Sequence, residues 1–251
     1  MNKDKVFRHF FGCDPAEIKG TLILTPVIPL KKFAEPSEVK KSFKGQLYSG
    51  IVLSDRESQF TVIHCGIGDR LIGDAILLLE STLSREIIFT GTCGGLRSCE
   101  IGDIVLCGKV FNGEGFTRYH SGMDIQDILS SGEDIPANPG YLSEFKDALI
   151  SPEYGEKNII EGDIFTIGSI LAETPGLLEA VESGGYTGIE MELSAVYSAA
   201  AVIGAKAVGL LTVSDTPRSK PLGEALTGPE KDARMSGMSY MIESAKKFAS
   251  K

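Results

Sequence analysis

Asp215 follows an apolar, strand-like run at a position where a carboxyl group could do chemistry. The run covers residues 205–213, and Ser214 and Asp215 come directly after it. A carboxylate at the end of a buried strand is poorly solvated, so its pKa should rise. A carboxyl group that holds a proton near neutral pH can serve as a general acid. An aspartate that caps a helix or closes a turn has the same local sequence, so both interpretations stay open.

Glu192 is the second candidate, in the stretch Ile-Glu-Met-Glu that precedes an alanine-rich helical run. A carboxylate can accept hydrogen bonds in pairs, as the adjacent hydroxyls of a sugar would offer them. Met191 would then supply an apolar floor for the sugar ring, with Glu190 beside it. Acidic residues at the start of a helix are also favoured by the helix dipole. A cap without a ligand is therefore the alternative.

Two glycine turns follow apolar runs, Gly-Ile-Gly at residues 66–68 and Gly-Thr-Cys-Gly-Gly at residues 91–95. Glycine lets backbone N–H groups approach a ligand closely, and such turns can bind anions. A tight turn without a ligand has the same sequence. No Gly-x-Gly-x-x-Gly follows a strand-like run, and no P-loop pattern occurs. Dinucleotide binding and nucleoside triphosphate binding of those types are not predicted.

Alternating strands and helices must position these residues. Apolar runs bounded by Gly, Pro or Asp predict strands at residues 21–28, 46–53, 60–65, 86–90, 103–110, 163–167 and 205–213. Helical spacing predicts helices at residues 69–82, 175–182, 192–203 and 229–248, and a methionine stripe on the last (Met235, Met238, Met241) is interpreted as core. The alternation predicts one α/β domain over residues 1–251 with a largely parallel sheet. Ligands bind beyond the carboxyl ends of the strands in such sheets.

Composition narrows the class of ligand. The net charge is −9, and no dense cluster of Lys and Arg occurs, so a small molecule is a better partner than a nucleic acid. The five cysteines form no Cys-x-x-Cys pair and the three histidines have no metal-ligand spacing, which predicts free thiols and no metal site. No signal peptide and no apolar run of about 20 residues is present. A cytoplasmic protein without membrane contact is expected.

Taken together, the motifs resemble the nucleoside phosphorylase family, which includes hexameric purine nucleoside phosphorylases, uridine phosphorylases and methylthioadenosine nucleosidases. Thr-Gly-Thr-Cys-Gly-Gly-Leu (90–96) and Ile-Gly-Asp-Ile-Val (101–105) are similar to its G-[ST]-x-G-[GA] and G-D-[IV]-V pair. Ile-Glu-Met-Glu (189–192) is similar to V-E-M-E, Val-Ser-Asp (213–215) to V-S-D, and Gly-Ile-Gly (66–68) to G-[MI]-G. The loop at residues 113–120 is similar to E-G-x-S-x-x-Y, and the resemblance covers roughly residues 20 to 245.

The resemblance implies a three-layer α/β/α sandwich with a mixed, partly barrel-like central sheet. It implies phosphorolysis of a nucleoside, expected to be a purine nucleoside, to free base and ribose 1-phosphate. Phosphate is the co-substrate, and no cofactor or metal is needed. The protein should be a homo-oligomer, a dimer or a trimer of dimers.

The same resemblance assigns roles to individual residues. Asp215 would protonate purine N7, with Lys231 as its basic partner. Met191, Glu192 and Glu190 would bind the sugar. Thr92, Gly91, Lys31 and Gly68 would bind phosphate. Cys93, Gly94, Phe165, Ile170 and Ser214 would bind the base.

The phosphate site departs most from the family pattern. Val27 and Ile28 replace the glycine and aspartate of the family's G-D-P-x-R, and Lys31 replaces its arginine without the bidentate fork. Phe89 stands where a second arginine is usual and would bring apolar surface toward the anion. Lys40 or Lys41 falls near the place of an arginine from a neighbouring subunit.

Three interpretations of the activity therefore remain. The nucleosidase branch uses a glutamate of the first loop to activate water, yet residues 26–31 contain no carboxylate. In the base pocket, Ile170 replaces a stacking aromatic, for which Phe165 could compensate. The leading interpretation is a phosphorylase. The alternatives are a nucleosidase and a nucleoside-binding protein without catalysis.

Overall fold

The computed structural model describes residues 2–55, 58–120, 124–149 and 158–251. Its helices are Lys3–Phe11 (α1), Lys31–Ala34 (α2), Asp69–Leu79 (α3), Phe116–His120 (α4), Ile125–Ser131 (α5), Pro139–Leu149 (α6), Pro175–Ser183 (α7), Leu193–Val202 (α8) and Gly228–Ala249 (α9). Its strands are Leu22–Thr25 (β1), Glu38–Lys44 (β2), Ser49–Asp55 (β3), Ser58–His64 (β4), Glu86–Gly95 (β5), Ile104–Gly113 (β6), Asp134–Pro136 (β7), Ile159–Ile167 (β8), Gly188–Glu190 (β9) and Lys206–Asp215 (β10).

The central sheet is mixed and partly closed. Within the described residues the strand order is β10-β6-β8-β9-β5-β1-β4-β3-β2, and β10 also pairs with β5. The strands β5, β10, β6, β8 and β9 therefore form a ring, from which β1, β4, β3 and β2 extend. Pairs such as β1–β5 and β5–β10 are parallel, whereas β6–β10 and β5–β9 are antiparallel. The predicted mixed, barrel-like α/β architecture is confirmed.

Helices cover both faces of the sheet. Apolar side chains of α1, α3 and α8 share one core cluster with one face of the strands. Side chains of α2, α6 and α9 form a second cluster on the other face. A smaller third cluster joins α5 and α7 to β8 and β9. The sheet is thus buried between helix layers, which explains why its strands are continuous apolar runs.

Tyr197 fixes α8 against the ring of strands. Its hydroxyl donates to the carbonyl of Cys107 at 2.8 Å and accepts from the N–H of Gly209 at 3.1 Å. Gly209 allows a close approach here, because a Cβ at this position would lie 2.8 Å from the Leu193 side chain. The first turn of α8 therefore packs tightly against β10.

Every predicted strand and helix overlaps an observed one, but several elements were not predicted. The first helix, α1, begins at Asn2, whose side chain accepts from the Lys5 N–H at 3.1 Å, and it buries Phe7 and Phe11. The edge strand β2 is almost wholly exposed, so it has no apolar run to reveal it. Within the described part of the chain, no helix is both long enough and apolar enough to cross a bilayer.

Candidate active site

The predicted chemistry converges on one cleft at the carboxyl ends of β5, β9 and β10. The cleft has a volume of about 470 Å³. Nine of the residues proposed from the sequence line it: Thr92, Cys93, Gly94, Ile170, Glu190, Met191, Glu192, Ser214 and Asp215. Other lining residues were not predicted, namely Pro26, Val27, Ile67, Glu173, Ile189, Leu222, Arg234, Met235 and Met238.

Glu192 lies at the start of α8, directly after the short strand β9. Its Oε1 accepts a hydrogen bond from the backbone N–H of Gly68 at 2.6 Å. Burial raises the pKa of Glu192, and the nearby Glu190 raises it further. Glu192 makes no side-chain capping bond to its own helix. Its carboxyl group therefore faces the cleft and the Gly68 turn.

Gly68 can hold this position because it is a glycine. Its φ is +110°, a backbone conformation that L side chains rarely adopt. The turn places the Gly68 N–H toward Glu192 across a sequence separation of 124 residues. Gly68 itself lines a smaller neighbouring cleft of about 310 Å³, shared with Ile67, Arg70 and Phe116.

Glu190 is engaged by the protein itself. Its Oε2 accepts from the backbone N–H groups of Glu192 and Leu193, both at 2.7 Å, and the Thr166 hydroxyl donates to Oε1. Burial raises the pKa of Glu190, while these three hydrogen bonds lower it. Because donors already occupy both oxygens, Glu190 anchors the first turn of α8 more directly than it faces a ligand.

Asp215 enters the cleft through an irregularity in β10. The pairing of β10 with β5 shifts between Val213 and Asp215, opposite Cys93 and Gly94. Such a bulge re-aims side chains, and here both Ser214 and Asp215 line the cleft. The Ser214 hydroxyl lies 2.7 Å from Asp215 Oδ1. Burial raises the pKa of Asp215, and the Ser214 hydrogen bond and the Arg234 charge oppose that rise.

The basic group that lines the cleft beside Asp215 is Arg234. The predicted partner, Lys231, is exposed and does not line the cleft, although it lies in the same helix, one turn earlier. Met235 and Met238 line the cleft too, and Met235 is 61% exposed. The core interpretation of the methionine stripe is therefore right for Met241, which is fully buried, and wrong for Met235.

The cleft contains a carboxyl group that no motif indicated. Glu173 follows a single 3-10 turn, Ile170–Ala172. Burial raises the pKa of Glu173 to about 7, and the charge of Asp215 adds to the rise. Phe165, predicted to contact the base, is fully buried and stacks on Phe111 at 5.1 Å, so it lies behind the cleft wall.

The expected phosphate residues do not all come together. Thr92 lines the cleft, but Gly91 is buried and Lys31 is exposed outside it. Phe89 is 1% exposed and packs in the core, so its ring does not reach toward an anion as expected. Lys40 and Lys41 lie on the exposed strand β2, where they pair with Glu38 and Glu17.

The loop after β6 supports the site from outside. The Ser194 hydroxyl, in the first turn of α8, donates to Glu114 Oε1. Burial raises the pKa of Glu114, and Asp69 at the start of α3 raises it further. The motif at residues 113–120 therefore joins the starts of α3 and α8, the two helices that flank Gly68 and Glu192.

A larger cleft of about 800 Å³ lies beside the starts of β1 and β5. Both of its arginines are already engaged: Arg8 Nε donates to Asp14 at 2.5 Å, and Arg85 donates to the carbonyls of Thr82 and Ser84. The chemistry-bearing strand ends lie elsewhere. We therefore take the smaller cleft, with its convergent carboxyl groups, as the candidate active site.

Comparisons with known proteins identify the family and the fold. The model of a family described as the phosphorylase superfamily matches residues 26–239. A DeoD-type purine nucleoside phosphorylase of Chromobacterium violaceum is 37% identical over 82 residues, 33% of this chain and 34% of that protein. The chain spans 34% and 61% of the length of the first two curated relatives that it matches.

Solved structures show the same fold. A uridine phosphorylase of Vibrio fischeri aligns with a TM-score of 0.75 and 15% identity, covering 93% of this chain and 92% of that one. An AMP nucleosidase of Bacteroides thetaiotaomicron aligns with a TM-score of 0.66 and 18% identity, covering 95% and 94%. At such identities the likeness establishes the fold alone.

Proposed function

This chain belongs to the phosphorylase superfamily, and from that premise we propose that it cleaves the N-glycosidic bond of a purine nucleoside. The family predicted from the sequence motifs is thereby confirmed. The substrate and the acceptor of the sugar are proposals that the site supports.

One observation carries the proposal: Glu192 and Asp215 line the same cleft from different strand ends. A buried carboxyl beside Gly68 suits the hydroxyls of a sugar. A second carboxyl with a raised pKa suits the base, which must be protonated as it leaves. Cleavage builds positive charge on the sugar. That charge favours the ionised form of Glu192, whose carboxylate would then stabilise the transition state.

Arg234 extends this assignment. The Arg234 guanidinium lowers the pKa of Asp215 and so offsets part of the rise that burial causes. We therefore assign Arg234 the partner role expected of Lys231, as a positioning residue for Asp215. Ser214 would orient the same carboxyl through its 2.7 Å hydrogen bond.

Phosphate is the acceptor that we propose first. The Thr92 hydroxyl offers a donor in the cleft, and Arg70 offers a guanidinium in the neighbouring cleft at the Gly68 turn. The Gly68 N–H itself is already engaged by Glu192. Hydrolysis is the second candidate, because apolar Pro26 and Val27 line the cleft where the resembling family binds phosphate. Apolar surface disfavours the desolvation of a dianion.

The deciding experiment is incubation with a panel of purine and pyrimidine nucleosides, with and without phosphate. Phosphorolysis gives free base and sugar 1-phosphate, and its rate rises with phosphate. Free sugar at an equal rate without phosphate would establish hydrolysis. Nucleoside binding by calorimetry, without either product, would show a binding protein and overturn the proposal.

The assembly and location are proposals as well. Val27, Ile67, Ile170, Leu222 and Met235 are at least 40% exposed around the cleft, as expected if a neighbouring subunit covers its mouth. We propose a cytoplasmic homo-oligomer that needs no cofactor beyond phosphate. A dilute sample that sediments as a monomer while it remains active would contradict the oligomer.

A further inference from the structure

Glu173 presents a carboxyl group beside Ile170 and Ser214, two residues expected to bind the base. No described residue donates a hydrogen bond to this carboxyl group. It lines the same space as Ile170, Ser214 and Asp215. Its backbone N–H donates to the Ile170 carbonyl at 3.3 Å, and this hydrogen bond holds the backbone of Glu173 in place. The proposed roles of Glu192 and Asp215 leave Glu173 unused.

We propose, on the basis of the nucleoside cleavage inferred above, that Glu173 contacts the pyrimidine-ring edge of the purine and that its protonation state selects which purine is accepted. In the ionised form the site prefers 6-oxopurine nucleosides such as guanosine. In the protonated form it accepts 6-aminopurine nucleosides such as adenosine as well.

The selection follows from matching donors and acceptors. An ionised carboxylate has two acceptor oxygens, and guanine offers two adjacent donors, the N1–H and the 2-amino group. A protonated carboxyl has one donor and one acceptor. Adenine offers the matching pair, an acceptor at N1 and a donor at the 6-amino group, and guanine offers the same pair at O6 and N1–H. The protonated form therefore matches both bases, whereas the ionised form is mismatched with adenine, whose N1 is an acceptor. A mismatch leaves a buried polar group unpaired, which enzymes exploit for discrimination.

The charges around Glu173 place this change near neutral pH. Burial raises the pKa of Glu173 to about 7, with Asp215 of β10 as the second cause. The other titratable or charged groups in the cleft wall are Glu190 of β9, Glu192 before α8, Arg234 of α9 and the buried Cys93 thiol of β5. His120 of α4 lies near the same segment, with its Nε2 at 2.9 Å from the Ser169 hydroxyl.

A ratio of rates isolates Glu173 from these neighbours. Glu192 is assigned to the sugar and Asp215 to N7, and adenosine and guanosine share both features. Titration of either group therefore changes kcat/KM for both nucleosides alike and cancels in the ratio. Neither purine changes its own protonation state near neutral pH. A pH-dependent ratio then reports the group that faces the edge where the two bases differ.

The test measures kcat/KM for guanosine and adenosine from about pH 6 to about pH 8, one unit on each side of the pKa of Glu173. In the unmodified protein the guanosine-to-adenosine ratio should rise about tenfold or more, the size expected for a hydrogen bond to a charged group. In Glu173→Gln the ratio should be flat and close to its low-pH value, because an amide always offers one donor and one acceptor and can pair with either base. Glu179→Gln, an exposed glutamate of α7, should keep the pH dependence.

A flat ratio in the unmodified protein, or a pH dependence that survives Glu173→Gln, overturns the inference. Failure of the proposed function gives a different result, since neither nucleoside is then cleaved at any pH. In that case calorimetry with free guanine and adenine makes the same test without catalysis. Guanine should bind more tightly relative to adenine as pH rises, and affinities that do not change with pH overturn the inference.

Discussion

The N–H of Gly68 and Oε1 of Glu192 are joined by a 2.6 Å hydrogen bond that links the turn after β4 to the first turn of α8. An ionised or an amide side chain at position 192 can accept this bond equally well. Position 192 can therefore be changed chemically with the Gly68 turn held in place. That separates its proposed role in sugar binding from any role in folding.

Glu192→Gln should lower kcat/KM for a purine ribonucleoside by about 10²–10³-fold, since it removes the charge proposed to stabilise the cationic sugar. The urea midpoint should stay the same or rise, because a buried carboxyl with a raised pKa is replaced by a neutral group. Steady-state kinetics and urea unfolding measure the two effects. An unchanged kcat/KM would make Glu192 a structural residue only.

Asp215→Asn should lower kcat/KM for purine nucleosides by about 10²–10⁴-fold, the usual contribution of a general acid. The amide cannot transfer a proton to the leaving base. Asp232→Asn, an exposed aspartate in α9, is the matched control and should retain full activity. A loss of less than about threefold at position 215 would remove Asp215 from the mechanism.

Glu190→Ala should destabilise the protein by on the order of 3 kcal/mol, because three buried donors lose their acceptor. Urea unfolding of this variant beside Glu179→Ala, at an exposed position on α7, measures the difference. If Glu190 served a ligand alone, its removal would leave the unfolding midpoint unchanged.

Glu173→Gln should change how stability depends on pH. The pKa of Glu173 is raised from 4.5 to about 7 in the folded protein. The contribution of protonated Glu173 to the free energy of unfolding is therefore complete below about pH 4.5 and is lost as the pH rises through about 7. Relative to the unmodified protein, the variant should gain on the order of 1–3 kcal/mol between pH 5 and pH 8. Urea titrations at several pH values check this, and a constant difference would contradict the burial of the charge.

Val27→Arg tests the phosphate proposal from within the cleft. Val27 is 40% exposed and lines the cleft, so a cation there can reach an anion beside Thr92. The variant should lower KM for phosphate, more so at low salt. Val39→Arg is the control, since Val39 is 43% exposed on β2 and outside the cleft. An equal effect of the two substitutions would mean general charge attraction.

The alternative position for a restored arginine, Phe89, is excluded by its burial. A guanidinium there would lie uncompensated in the core, at a cost of about 3–5 kcal/mol. The sequence alone places Phe89 near the family's arginine but does not show which face of β5 its side chain takes.

The ordered strand-end motifs made half of the cleft lining predictable. Thr92 and Asp215 lie near the carboxyl ends of β5 and β10, which are parallel, so these ends meet at one edge. Glu192 follows β9, which reaches the same end of β5 as an antiparallel partner. Arg234 and Glu173 were missed for a different reason. Arg234 lies one helical turn after Lys231, the residue that the resemblance to the family suggested. Matching residues by sequence does not show which side chains of α9 face the cleft. Glu173 follows a single 3-10 turn, which leaves no periodic pattern.

The ring of strands is closed by its shortest member. β9 has three residues, and it reaches β5 only through Ile189 opposite Gly94 and Gly188 opposite Gly95. Glu190 is the last residue of β9, and Glu192 follows it two positions later. A local opening of this seam would release the ring and displace both carboxyl groups in a single event. Amide hydrogen exchange at residues 188–190 should therefore report the fraction of molecules in which the proposed sugar site is intact, and a bound nucleoside should slow the exchange.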